Sequence, residues 1–379
     1  QHNGKIHLRP VCIPRVPYAK TRKELLPDYH KKKCGEHEND ATKFNDLNLC
    51  PACRVFGWVA PKKTDALQAF AGRVQFTHAK LKDERKVEKF ENLITLAILG
   101  PPQPTNTRFY LKPQNGTEPN NWPDKWEDTQ CGYQKGNVLR GRKFYRHHGM
   151  ELVGRTFHGL YPEMPEKNAP AKHEFERIDG KADKQNCTLA ETLKAGNKFE
   201  FSIHFQSLAR EELGALLWAL EMESDMVHRL GLAKPLGFGS VNVEVDKIQL
   251  ADVRERYAAF NYHAVDALKD AKLTKWKKRI VDDFKKAMAK LYRNDDNTFH
   301  QLDNIVDLKA LLKNETPKKP VHYPRLSAIP DTEGKNFEWF VRNKKSFKGK
   351  PEKEWKHALP LAPEDNKGLP IEHTKNRSS

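Results

Sequence analysis

A change of period constrains this chain more than any other feature. In KFEFSIHFQ (198–206), Phe199, Phe201, Ile203 and Phe205 alternate with Glu200, Ser202, His204 and Gln206, the two-residue repeat of a strand with one buried face. AREELGALLWALEME (209–223) then sets Leu213, Leu216, Leu217 and Leu220 at i, i+3, i+4 and i+7, a helical stripe. HRLGLAKPLGFGSV (228–241) is a glycine-punctuated loop, and SVNVEVDKIQL (240–250) alternates again, with Val241, Val243 and Val245 on one face. Strand, helix, glycine loop, strand predicts the second half of a split βαβ, ferredoxin-like arrangement and an α+β fold. AGRVQFTHAKL (71–81) reads as a further strand, with Val74 and Phe76 sharing a face.

Between these strands, residues 100–190 are rich in Pro, Gly, Asn, Lys and Asp, as in GPPQPTNTRFYL and QNGTEPNNWPDKW. Such runs break regular elements, so the segment reads as a large insertion of loops and short strands. Residues 252–293 read as helical, with Trp276, Ile280, Phe284, Met288 and Leu291 in a stripe broken by Lys and Arg. Residues 314–379 are rich in Pro and Lys and read as an extended tail. NFEWFVRNKK (336–345) is expected to be an ordered island in it, because Phe337, Trp339 and Phe340 favour burial. Residues 1–33 are basic, carry Pro10, Pro14, Pro17 and Pro27, and read as an extended lead-in.

Three of six cysteines fall within CGEHENDATKFNDLNLCPACRVFGW (34–58), as Cys34-x2-His37-x12-Cys50-x2-Cys53. Two short-spaced ligand pairs separated by a dozen residues suit a closed, tetrahedral structural zinc site, with His30 as the alternative fourth ligand. The competing possibility is a redox pair of Cys50 and Cys53. A redox CxxC usually opens a helix after a strand, and RVFGW is not expected to continue as one. Cys12, Cys131 and Cys187 are isolated, which is unlike a secreted disulfide framework, so a reducing cytoplasm is expected.

The formal net charge of +17 favours a polyanionic partner, with nucleic acid first among candidates. VLRGRKFYRHH (138–148) groups Arg140, Arg142, Lys143 and Arg146 with Phe144, Tyr145, His147 and His148. Guanidinium groups grip phosphate and aromatic rings stack on unpaired bases. In the glycine loop, Gly231, Gly237 and Gly239 could bring backbone amides to a phosphate, Arg229 and Lys234 add charge, and Phe238 offers a stacking face. Equally, the loop could be a tight turn with Phe238 buried. It matches neither the P-loop nor the dinucleotide fingerprint. No paired-carboxylate metal motif, GxSxG or HExxH is present, so no catalytic residue is assigned. A self-contained endoribonuclease would have to draw on Tyr145, His147 and His148. No run approaches the roughly 18 apolar residues of a membrane span, and no apolar signal core opens the chain.

LCPACRVFGW, FAGRVQFTHAKL, LRGRKFYRHH and LGLAKPLGFGSVNV, in that order, resemble the RAMP superfamily of CRISPR-associated proteins, the RRM-like subunits that form the guide-RNA backbone of type III effectors. The likeness covers roughly residues 34–250. VHYPR (321–325) and FEWFVRNKK (337–345) look like the C-terminal end of the longer members, most like the last RAMP domain and tail of the giant single-chain type III-E effectors (gRAMP). The resemblance implies a zinc finger at 34–57, an RRM-like RAMP domain at 58–250 with a thumb-like insertion, and a C-terminal extension at 251–379. It implies zinc on Cys34, His37, Cys50 and Cys53, and RNA contact at Gly237–Ser240. It further implies a crRNA guide, its complementary target RNA and other RAMP domains of the same effector as partners, in a prokaryotic cytoplasm. A caspase-like (CHAT) peptidase is a further candidate partner. The family's N-terminal strand and following helix do not precede Cys34, and the chain starts without Met, so the resemblance implies a C-terminal portion of a larger RNA-guided endoribonuclease. The family's cleaving aspartate lies near that strand, so it cannot be carried onto this chain. A generic zinc-containing RNA-binding protein is the remaining alternative.

Overall fold

The computed structural model describes residues 49–59, 69–100, 107–113, 133, 136–140, 144–147, 176–177, 181, 185–251, 253–258, 260, 267–293, 298–314, 323–324, 338–344, 359 and 362–363. The lead-in at 1–33, the ligand candidates His30, Cys34 and His37, the interface candidates Arg142 and Lys143, and His148 lie outside the described residues, as does most of 100–190.

Elements run in the order α1 (Pro51–Phe56), β1 (Trp58–Val59), β2 (Ala69–Phe70), β3 (Val74–Phe76), β4 (Lys80–Leu81), β5 (Val87–Thr95), α2 (Thr107–Tyr110), β6 (Leu111–Pro113) and β7 (Asn137–Leu139). There follow β8 (Thr188–Leu193), β9 (Phe199–Glu200), β10 (Ile203–Phe205), α3 (Arg210–Glu221), β11 (His228–Arg229), β12 (Ser240–Val241), α4 (Val253–Ala258), α5 (Asp270–Arg293), α6 (Asp303–Leu312) and α7 (Glu338–Lys344). Helices and small antiparallel sheets together make the α+β class expected from the sequence.

The strand at 71–81 and the strand at 198–206 pair antiparallel, with Val74 opposite Phe205, Phe76 opposite Ile203, and Leu81 opposite Phe199. The same ribbon continues into β5 and β8, where Val87 faces Leu193 and Thr95 faces Thr188. Nothing local announces β5, whose partner lies about a hundred residues away, inside and just beyond the insertion. Ile203, Phe205 and Val74 turn one face onto helices α3 and α5, where Leu213, Leu216, Leu217, Ile248, Leu273 and Ile280 form the main core. The ribbon runs past those helices. Phe76 and Phe199 therefore remain 47% and 49% exposed, against the burial their alternation predicted.

Helix α3 follows the leucine stripe. At its start Glu212 accepts from the Ala209 amide at 2.8 Å, satisfying a first-turn N–H. Gly214 brings α3 against α5, because a Cβ there would lie 2.4 Å from the Ile280 carbonyl oxygen. Behind that contact, Phe299 packs edge to face on both Trp218 and Phe284, with Trp218 and Phe299 centroids 5.1 Å apart. The helix expected over 252–293 is two helices, α4 and α5, and Leu291 in the last turn of α5 is exposed because α5 outruns its partners.

The strand expected at 240–250 forms a ladder only at Ser240–Val241, opposite Arg229 and His228. Beyond it Val243 and Val245 stay half-buried while Asn242, Glu244 and Asp246 are exposed, so the alternation holds without a ladder. The Val245 amide bonds the Glu221 carboxylate at 2.8 Å instead. In the tail, α7 is the expected ordered island: Trp339 and Phe340 are buried with Phe109 of α2 and Tyr323, which joins the tail to the insertion. No helix among the described residues is long and apolar enough to cross a membrane.

Candidate nucleic-acid interface

The hairpin of β11 and β12 is built by residues that leave the usual backbone regions. Gly231, Gly237 and Gly239 have φ of 90°, 95° and 84°, and Ala233 joins them at 53°. Gly239 has no substitute, since a Cβ there would sit 1.8 Å from the Leu230 carbonyl oxygen. Between these turns Lys234–Leu236 forms one 3₁₀ turn, and Leu236 is buried with Ile94 and Leu96. Phe238 packs on the same cluster as a half-buried ring, so its side chain serves the core.

Under the loop lies Arg229, only 8% exposed. Its Nη1 donates to Ser240 Oγ at 2.9 Å and to the Gly237 carbonyl at 3.5 Å, and its Nη2 donates to the Lys234 carbonyl. Its Nε is buried with no hydrogen-bond partner. All the acceptors are neutral, and no carboxylate among the described residues pairs with it. A buried charge is ordinarily paired, so this guanidinium carries an uncompensated charge. Burial lowers its pKa.

His147 stands beside it at 2% exposure. Its Nε2 faces the Val227 carbonyl at 3.0 Å and must carry the proton, which leaves Nδ1 to accept from the Ser240 hydroxyl at 2.6 Å. Burial, helped by the Arg229 charge 3.3 Å from Nδ1, pushes the His147 pKa down against the opposing pull of the Val227 carbonyl. The imidazole is therefore neutral at pH 7 and ties the 144–147 segment to both hairpin strands. With both nitrogens engaged, it reaches solvent only through Ser240, which is exposed. A serine hydroxyl donating to an oriented base is also the pattern of an activated nucleophile. Lys234 lies half-exposed nearby, its Nζ donating to the Gly231 carbonyl at 3.0 Å, and Leu230 and Leu232 project at the loop tip, 68% and 92% exposed.

The structure thus brings together Arg229, Lys234, Gly237, Phe238, Gly239, Ser240 and His147. The other basic and aromatic candidates sit elsewhere. Arg140 is buried, and its amide bonds the Tyr110 carbonyl. Tyr145 is half-buried against the Phe109–Trp339 cluster, and burial raises its pKa. The Arg146 guanidinium donates to the Ala362 carbonyl in the tail. Leu230, Leu232 and the Val227 carbonyl belong to the site without having been anticipated. The exposed leucines were visible as LGL, two leucines flanking Gly231; the carbonyl left no sequence signal.

Cys50 caps the start of α1 and Cys53 follows one turn later, both reduced and half-buried. The pair therefore does open a helix, contrary to the sequence expectation, because Pro51 suits the first helical position and Gly57 ends the run. Helix α1 is fixed to the start of α3 through Glu212, which is 2.7 Å from Arg54 Nε and 3.1 Å from Arg73 Nη2. Two thiolates one turn apart fit half of a tetrahedral zinc set. Among the described residues no group of three or more metal-ligating side chains occurs, since Cys34, His37 and His30 lie outside them. No family model and no curated protein matches this chain.

Proposed function

We propose that this chain is an RNA-binding segment of a type III CRISPR RNA-guided, RNA-targeting effector, holding guide and target RNA without cleaving either. The observation that carries the proposal is Arg229: a buried guanidinium with only neutral acceptors, under a glycine-built loop, with Ser240 and Lys234 at the surface above it. A phosphate oxygen above the loop would be drawn by the Arg229 charge behind Ser240 and by the Lys234 ammonium, which keeps N–H groups to donate; the Ser240 proton itself is committed to His147. That is a site for the sugar–phosphate backbone, with no base-edge readout. An RRM-like sheet covered on one face by α3 and α5 is consistent with the ribbon of β3 and β10. His147 holds this loop and is not a surface base, so a self-contained ribonuclease built on Tyr145 and His147 has less support.

In this proposal Cys50 and Cys53, with Cys34 and His37 or His30, would hold a structural zinc ion that orders the finger. A redox dithiol shares the helix-start position of Cys50 and Cys53. Elemental analysis separates the two: one zinc per chain is expected, and a zinc-free protein with a reversible Cys50–Cys53 disulfide would replace the finger with a redox site.

The RNA claim is tested by anisotropy with labelled single-stranded RNA across salt. Lys234→Glu is expected to weaken binding of all sequences alike and to reduce the salt slope by about 1. Ser240→Asp places a carboxylate against Arg229 and is expected to weaken binding further. Parent-like binding by both variants would refute the site. Preference for an RNA carrying a repeat-derived tag distinguishes a CRISPR guide from generic RNA.

A further inference from the structure

Helix α5 carries two populations of basic side chains. Lys277 turns inward to Glu221 at 2.6 Å and Lys285 to Glu223 at 2.9 Å. On the outer surface Lys278 meets Asp282 at 3.6 Å, Arg210 takes Asp283, and Arg293 lies 3.5 Å from Asp303. With the nearby acids so engaged, Lys272, Lys275, Arg279, Lys286 and Lys290 remain exposed and form no ion pair among the described residues. Their spacings of three, four, seven and four residues put them on one face, opposite buried Leu273, Ile280 and Phe284, with Asp282 and Asp283 beside them in the seven-residue gap. At 1.5 Å per residue the row is about 27 Å long. Its middle borders a groove of about 270 Å³ lined by Lys275, Lys278, Arg279, Asp282, Asp283 and Lys286.

Folding gains little from much of this row, although Asp282 and Asp283 stand three and four residues from Arg279 and Lys286, and Lys290 suits the last turn. Lys275 with Arg279, and Lys286 with Lys290, are like charges at i,i+4, which oppose the helix by a few tenths of a kcal/mol each. The row also lacks a stacking platform, because Trp276 turns toward the core. A straight, rigid line of cations without aromatic rings matches a ligand that presents regular negative charge along an axis and keeps its bases stacked away. A duplex does so, with phosphates spaced regularly along both strands.

We propose that this face of α5 is a second RNA surface, a track for the phosphate backbone of double-stranded RNA bound without sequence readout. It uses different residues from the β11–β12 hairpin and does not depend on it.

The test is anisotropy with a labelled RNA duplex of about 24 base pairs, between about 50 and 200 mM salt. The variant is Lys275→Glu, Arg279→Glu, Lys286→Glu and Lys290→Glu together. A control makes the same charge change at exposed Lys80, Lys82, Lys194 and Lys198. The α5 variant is expected to lose at least tenfold in duplex affinity and to flatten the salt slope by about 3 to 4, while the control loses far less. The four-fold Gln variant, with unchanged helical circular dichroism, is expected to show an intermediate loss, which separates lost contacts from lost folding. Equal losses in the α5 variant and the control would reduce the row to general net charge and overturn the proposal. Unchanged duplex binding would overturn it too, leaving an acidic protein as the partner for this face. The single-stranded RNA response to Lys234→Glu is read separately, so either surface can fail alone.

Discussion

Replacing Gly214 with alanine sets two effects of known size against each other. Within a helix, Gly→Ala gains about 0.8–1 kcal/mol from backbone entropy. Gly214, however, faces α5, and the new Cβ would lie 2.4 Å from the Ile280 carbonyl oxygen and 2.7 Å from Phe284 Cβ. The nearer group is backbone and cannot rotate away, so the helices must part. A gap of about 0.5–1 Å forfeits a quarter to a half of the dispersion well for each contact across it. The contacts at risk are those of Leu213, Leu217, Ile280 and Phe284, all at most 8% exposed. Overpacking of this kind costs about 1–3 kcal/mol, and the rigid obstacle places it toward the upper end. The net expectation is a loss of about 1–2 kcal/mol, a factor of roughly 5–30 in the local folding equilibrium. Hydrogen exchange of α3 and α5 peptides by mass spectrometry reads that factor directly. Ala215, on the same helix but only partly packed, gives a reference position. Gly214→Ala exchanging no faster than the parent would mean that α3 and α5 do not cross where the structure puts them.

Glu212→Ala leaves Arg54 and Arg73 without their shared carboxylate and α3 without its first-turn acceptor; a loss of about 3 kcal/mol and early proteolysis near α1 are expected, read by limited digestion. Trp339→Ala empties the cluster of Phe109, Tyr323 and Phe340 and is expected to cost about 3–5 kcal/mol, with tail peptides near 338–344 losing exchange protection and α3 unaffected. Burial lowers the pKa of both His147 and His300, so the unfolded chain binds their protons at higher pH than the fold does. Their stability is therefore full above the ordinary histidine value of about 6.5 and is lost as pH falls from there through the lowered folded values. Melting temperature is expected to drop between about pH 7.5 and pH 5.5, less steeply in a His147→Gln, His300→Gln variant, and a rise on acidification would contradict it.

Local patterns were legible in the sequence and long-range pairings were not. The stripe of Leu213, Leu216 and Leu217 named α3 and its buried face because every contact that defines a helix lies within four residues. Trp339 and Phe340 marked their island by size alone. In contrast, VEKFENLIT (87–95) mixes charge into its alternation and finds its partner only at 188–193, so nothing local announced β5. His147 shows the same limit at the candidate site. Its neighbours in sequence are arginines and aromatic residues, which suggested an RNA-facing surface. Its partners in space are Ser240 and Val227, 93 and 80 residues away, and they make it a buried strut. The segment at 240–250 was half legible. Side-chain alternation followed from the helices beneath it, but a ladder needs a neighbouring strand, and none pairs with 242–247 among the described residues.

Among the described residues the basic side chains divide into compensated and uncompensated places. Wherever a cation of the α3–α5 layer turns inward, a glutamate on or just after α3 meets it: Glu212 takes Arg54 and Arg73, Glu221 takes Lys277, and Glu223 takes Lys285. Glu223 shows how tightly this is arranged. Burial would raise its pKa, yet hydrogen bonds from Trp218 and Lys285 outweigh that and hold it below the usual carboxylate value. Stability therefore consumes the acids near the core. Arg229 breaks the rule, being as buried as these partners and given no acid, and the outer row of α5 breaks it at the surface. Arg229, beneath a turn that Gly239 alone permits, is held only by neutral acceptors among the described residues, which leaves its charge open to an anion from outside. Ser240→Asp supplies the missing carboxylate from within. It also withdraws the hydroxyl donor from His147 Nδ1, so RNA binding decides: if the charge is there for a ligand, the variant binds RNA less well than the parent; if Arg229 is merely tolerated, RNA binding will not change.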